Sequence, residues 1–273
     1  MVLNIPKIKE KIEETQKEVE KKNKEAAKYN KKEGISAVIA EKIDLESLAQ
    51  QIKTPWEVPT KVIIEPFARL TLELKDKLVH YDTILSDDTS GRLIALFFRD
   101  LINKQKKKAD KEPVQTYFVA GGRLRGETIW RAIENFIEEK KNSLGKVLVV
   151  TEYIATGESL MPLVKILKNQ GIDFDIASLS IDLPPNAIRY QDKKDLIDRL
   201  KFGSVGLGGA AFYHRPEFSG VTKCPPESRK GFSVEKDDAS PYPFALAVQD
   251  INKMKTIRED MKLLANELSK LLE

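Results

Sequence analysis

The sequence predicts an α/β fold: an open, mainly parallel sheet with helices on both faces, plus a helical extension at each end. Three observations predict it. Short β-rich apolar runs, each followed by a glycine-containing loop and an amphipathic helical pattern, occur at 83–104, 114–140 and 146–171. A further strand pattern, DFDIASLSID, follows the third of these units. Both ends of the chain carry a three-four apolar spacing instead, which is helical. Strands alternating with helices of this length require right-handed crossovers, and such crossovers build a parallel sheet covered on both sides.

The chain divides accordingly into residues 1–33, a charged amphipathic helix; 34–250, the α/β domain with its hood or lid segments; and 251–273, a second amphipathic helix. The N-terminal seam runs Ile5, Ile8, Ile12, Thr15, Val19, Lys22, Ala26 and Tyr29; the C-terminal one runs Met254, Ile257, Met261, Leu264, Leu268 and Leu271. Each stripe can lie on the core, pair with the other terminal helix, or pair with a second copy, so a homo-oligomer through the terminal helices is expected. Within the middle, KQKKKADKE (104–112) and the Pro184–Pro185 break mark exposed connections. Residues 203–243, rich in glycine and proline, form a candidate lid.

Composition sets limits on function. With 273 residues and 41% hydrophobic content the chain can bury one large core without disulfides. A net charge of only +4 leaves nucleic acid unsupported as a partner. The single Cys224 argues against a cysteine metal cluster and fits a reducing cytosol, so a cytoplasmic location is expected. No apolar run approaches the length needed to cross a bilayer, and no membrane role is expected. The two histidines, His80 and His214, are isolated and make no metal site.

Ligands of open parallel sheets bind outside the carboxyl ends of the strands, where the loops of the three units gather. In the third loop Ala155, Thr156, Gly157, Glu158 and Ser159 occupy a turn and the first helical positions. Backbone N–H groups there are unpaired, the helix dipole favours an anion, and Thr156 and Ser159 add hydroxyl donors. The ordinary alternative is that Thr156 or Ser159 merely caps the helix. In the second loop, AGGRLRGE (120–127), Gly121 and Gly122 admit an anion close to the backbone, and Arg123 and Arg125 can neutralise a diphosphate. The alternative is a tight turn with solvated arginines. In the first loop, LSDDTSGR (85–92), helix capping by Asp88, Thr89 or Ser90 and a solvent-facing Arg92 rank above a role for Asp87 and Asp88 as acidic helpers.

The stretch VLVVTEYIATGESL, Val147 to Leu160, resembles the signature of type I phosphoribosyltransferases: four apolar residues, two acids, two apolar residues, any residue, then Thr-Gly-x-Thr or Thr-Gly-x-Ser. It departs from that signature at Thr151, which stands in place of the first acid. The resemblance covers roughly residues 75–185 and is specific over these fourteen positions. It implies a type I phosphoribosyltransferase-like fold and transfer of the phosphoribosyl group of phosphoribosyl pyrophosphate to a nitrogenous acceptor, with release of pyrophosphate. It also implies that Ala155 to Ser159 grip the 5-phosphate, that Glu152 accepts from a ribose hydroxyl, and that Gly121 to Arg125 form the pyrophosphate loop. Mg²⁺ would be held mainly by the substrate's own phosphates, with no direct protein ligand. A hydroxyl in place of a carboxylate at Thr151 costs about 1 to 2 kcal/mol of sugar binding. The acceptor would sit under a hood drawn from residues 34–80 and from GGAAFYHRPEFSG (208–220), where Phe212, Tyr213 or His214 can stack on a base, an aromatic mini-core being the commoner use of such a cluster. Two other readings stand beside the enzyme: a non-catalytic regulator that binds phosphoribosyl pyrophosphate or a nucleotide, and a coiled-coil assembly module with a relict α/β core.

Overall fold

Runs of five to eight residues form the five parallel strands and the amphipathic stretches between them form the helices, in the predicted alternation. The computed structural model describes residues 33–56, 58–87, 91–120, 127–182, 193–207, 218, 233–236 and 248–273. Three helices open the described chain: α1 (Glu33–Lys42), α2 (Leu45–Gln51) and α3 (Thr60–Leu74). The alternating region follows with β1 (Thr83–Asp87), α4 (Arg92–Lys108), β2 (Gln115–Ala120), α5 (Glu127–Leu144) and β3 (Val147–Ile154). It continues with α6 (Met161–Asn169), β4 (Phe174–Ile181), α7 (Lys194–Ile197), β5 (Leu200–Val205), β6 (Ser233–Lys236) and α8 (Val248–Leu268).

The sheet order is β5-β4-β3-β1-β2-β6, parallel from β5 to β2, with β6 antiparallel along the β2 edge. The expected α/β fold with a mainly parallel sheet is therefore observed. β1 pairs on one side with β2 and on the other with β3, so the winding direction reverses at β1. Right-handed crossovers in opposite directions must use opposite faces, and they do. On the first face α1 to α4 and α8 share a core with Ile84, Phe118, Leu148, Val150, Ala177 and Leu179. On the second, α5, α6 and α7 pack on Leu85, Val119, Val147, Val149, Phe174 and Ile176. The two sets alternate as a period of two requires through Val147–Val150 and at Ile176–Ala177, whereas Ile154 and Ile181 at the strand ends also join the second core.

The C-terminal stripe is settled within the chain. Met254, Ile257, Met261, Leu264, Leu268 and Leu271 are all buried, and α8 lies along α4 on the first face. The helix begins at Val248, three residues earlier than its expected start at 251. Asp260, buried on α8, accepts hydrogen bonds from the backbone N–H groups of Lys53 and Thr54 and from the Thr54 hydroxyl. A buried carboxylate so satisfied fixes the loop before α3 to the C-terminal helix. The N-terminal seam, residues 1–32, lies outside the described residues.

α3 leads through a 3-10 turn, Leu78–His80, into β1, so it runs antiparallel to the strands and its N-terminus lies at their carboxyl ends. It contains Pro66, whose missing N–H leaves the carbonyl of the exposed Val62 to solvent. Pro66 crosses β5 at Gly203, where a Cβ would come within 2.4 Å of the Pro66 carbonyl oxygen. Only glycine permits this approach. Near the amino ends of the strands Asp175 of β4 accepts from Lys77 Nζ and the Tyr81 hydroxyl, each at 2.8 Å. Burial alone raises the Asp175 carboxyl, but the hydrogen bonds from Lys77 and Tyr81 and the charges of Lys77 and Lys146 outweigh it and hold it below its ordinary value. Burial first, then the charge of Asp175, push the Tyr81 phenol well above the usual tyrosine range.

Two predictions follow from these contacts. Gly203→Ala should destabilise the fold by about 1–3 kcal/mol, the cost of an overpacked core, seen as a lower midpoint in denaturant unfolding. Because the folded pKa of Asp175 lies below the unfolded one, its stabilisation is present near neutrality and is lost as pH falls through the folded value. Asp175→Asn should be less stable at pH 7, and its stability should fall less steeply between about pH 5 and 2.

Candidate functional site

The point where winding reverses leaves a crevice outside the carboxyl ends of β1 and β3, because the crossovers on either side depart to opposite faces. The first predicted loop leaves β1 and the third leaves β3, so the topology brings them to the two sides of one crevice. The second loop follows β2, the other neighbour of β1.

The third loop is more open than predicted. The helix does not begin among Thr156 to Ser159; it begins at Met161, with Leu160 at the cap and no side chain capping it. Pro162 in the first turn explains the displacement, since proline is favoured where no N–H is needed. Residues 155–160 therefore form a turn of their own, closed by the N–H groups of Leu160 and Met161, both donating to the Gly157 carbonyl at 3.1 Å. Gly157 has φ +75, a left-handed conformation that glycine adopts without strain, and it packs against Leu196 and Ile154. Helix capping by Thr156 or Ser159 is excluded. The Thr156 Oγ1 instead accepts from the Glu158 N–H at 3.4 Å. Among the described residues, nothing accepts from the backbone N–H groups of Thr156, Gly157 and Ser159. Three donors on one short turn, with Thr156 part-buried and Ser159 exposed, leave backbone N–H groups that an anion could accept from.

Thr151 and Glu152 are successive residues of β3 and so face opposite sides. Thr151, level with Ser178 on β4, belongs to the α5–α6 side; Glu152 follows Leu148 and Val150 to the α3–α4 side. Both are buried, Glu152 completely. On β1, Ser86 pairs with Val150, which puts Asp87 level with Thr151 on the adjacent strand, about 4.8 Å away in the pairing direction. The same residue pairs with Val119 of β2.

The helix after β1 is capped at Gly91, so none of Asp88, Thr89 or Ser90 takes the cap position; these three lie outside the described residues. The expectation of a solvated Arg92 is overturned. Its side chain is fully buried with the guanidinium 4.2 Å from the centre of the Phe118 ring. A buried cation in the first turn of a helix works against the dipole and carries a desolvation cost. Sequence spacing treated Arg92 as the polar start of an amphipathic helix; the missed signal was the apolar Leu93 to Phe98 run, which leaves α4 little solvent face there.

Gly121, Gly122, Arg123 and Arg125 lie outside the described residues, as do Phe212 and Tyr213. The two segments expected to form a hood do meet: Trp56, ahead of α3, contacts Phe218 edge to face with ring centres 5.7 Å apart. Among the described residues no three or more His, Cys, Asp or Glu side chains converge on a possible cation position. No helix of the described residues is long and apolar enough to cross a membrane. Compared with known protein families and with curated proteins, the chain matches none.

Gly157→Ala and Gly171→Ala both place a side chain at positive φ, but a Cβ at Gly157 would stand 3.1 Å from Leu196 and none is met at Gly171. Gly171→Ala should cost about 1 kcal/mol of stability and Gly157→Ala more. Only Gly157→Ala should also weaken binding of inorganic phosphate, measured by titration calorimetry.

Proposed function

We propose that the chain is a phosphoribosyltransferase-like enzyme that binds phosphoribosyl pyrophosphate across the crevice between β1 and β3 and passes its phosphoribosyl group to a nitrogenous acceptor. The observation that carries this reading is the set of Thr156, Gly157 and Ser159 N–H groups at the end of β3, beside the reversal of winding. These donors receive the 5-phosphate; the loop Gly121 to Arg125 is assigned to the pyrophosphate. Displacing pyrophosphate from the sugar builds positive charge on the ring, so catalysis rests on positioning and charge stabilisation rather than on a covalent intermediate. Magnesium enters this reading as a companion of the substrate's phosphates, and no described residue is assigned to hold it.

The missing acid at Thr151 is supplied, in this reading, by Asp87, which stands level with it on the neighbouring strand. Asp88 is a second candidate from the same loop. Complete burial of Glu152 favours a supporting role for its carboxylate, below the sugar rather than in open contact with it. The same burial, together with Thr151, favours the second reading, a protein that binds phosphoribosyl pyrophosphate as a regulator without turnover.

Titration calorimetry with phosphoribosyl pyrophosphate and magnesium tests both readings. Binding is expected, weakened about tenfold by Asp87→Asn, the size of one charge-assisted hydrogen bond. Thr151→Asp separates the two: a strong rise in pyrophosphate exchange supports the enzyme, and tighter binding without exchange supports the regulator. No heat at millimolar ligand removes both.

A further inference from the structure

The whole net charge of the chain lies in its first 32 residues, where ten lysines face six glutamates; the remaining residues are balanced at 36 of each sign. This lysine-rich segment carries the heptad seam and runs directly into α1 at Glu33. At the other side of α1 lies a cavity of about 520 Å³ between α1, α2 and α3. Its floor is apolar, with Ile39, Ile43 and Leu45, and its walls carry Glu41, Glu46 and Glu65. With Asp44, Lys42 and Lys61 included, the lining has four acids against two lysines. Two of the acids are already paired, Glu46 with Lys61 and Glu65 with Arg69, and Glu41 is exposed.

The exposed large apolar side chains of the described residues are Val38 and Val62. Neither lines the cavity, but each lies one helical turn before a residue that does, Val38 before Lys42 and Val62 before Glu65. A groove with an apolar floor and an excess of acids in its lining fits an amphipathic helix that alternates isoleucine or valine with lysine.

We infer that this groove binds the lysine-rich N-terminal segment of a second copy of the chain, and that the exchange is mutual. Charge complementarity selects the segment, and its sequence selects the second copy. Between Pro6 and Gly34 it contains neither glycine nor proline, and Asn23 and Asn30 are its only strong turn formers, so its sequence favours one continuous helix over a return beside α1. A helix of these 27 residues would be about 40 Å long, ample to reach a neighbouring molecule. A contact in which each copy gives its segment to the other's groove closes with two-fold symmetry and leaves no open end to polymerise.

The test uses the full-length chain in three forms: unaltered, Val62→Glu, and the double variant Glu41→Lys with Glu46→Lys. Val62 is exposed, so its substitution leaves the core intact, and circular dichroism checks the double variant. Light scattering should give twice the chain mass of 30.9 kDa for the unaltered protein. Both variants should raise the dissociation constant at least tenfold, and salt should do the same. Zero-length carbodiimide coupling of an equal mixture of isotopically light and heavy copies should join lysines of 1–32 in one copy to Glu41 or Glu46 in the other. A monomer mass at about 50 μM, couplings within single copies only, or a dimer indifferent to both variants would each overturn the proposal.

Discussion

Everything at the candidate site depends on the pairing of β1 with both β2 and β3. A strand that starts the sheet and then lies inside it forces the chain to wind outward twice in opposite directions. The crossover helices must then part to opposite faces, and the carboxyl end of β1 lies between them. The register of that pairing carries the chemistry as well. Ser86 opposite Val150 sets Asp87 beside Thr151, and a shift of one residue would turn every side chain of β1 to the wrong face. The cores on both sides enforce it, since Ile84 is buried on one and Leu85 on the other.

Glu152 and Arg92 are completely buried, and Arg92 sits where the helix dipole is positive. At the amino ends of the strands the buried Asp175 has its lysine and tyrosine partners at 2.8 Å. A network of that kind explains itself as structure. Around β1 and β3 the described features are the fully buried Arg92 against Phe118 and the backbone N–H groups of the turn after β3.

The alternation of strands and helices was legible because period two and period 3.6 differ strongly in VLVVTEYI and in RLIALFFRDLI. The stripe on α8 was legible too, but its partner was not: the same spacing serves a coiled coil and a helix on its own core, and α4 won by offering Leu101 and its neighbours on the near side. The start of α6 was misplaced because Thr156 and Ser159 have capping chemistry, whereas Pro162 and the left-handed Gly157 set the true boundary. Asp87 was visible as an acid, yet its place beside Thr151 depends on strand order. No local pattern encodes which strand becomes the neighbour of β3. Arg92 was misjudged for the complementary reason, since burial of a charge is decided by what packs over it.

The central claim is that the turn after β3 holds a phosphate through its backbone. Amide chemical shifts of ¹⁵N-labelled protein, followed while ribose 5-phosphate and then phosphoribosyl pyrophosphate are added, address that claim residue by residue. The account predicts that the amides of Thr156, Gly157 and Ser159 move downfield with both ligands while that of Gly171 stays still. Unmoved resonances for those three residues at millimolar ligand would contradict it.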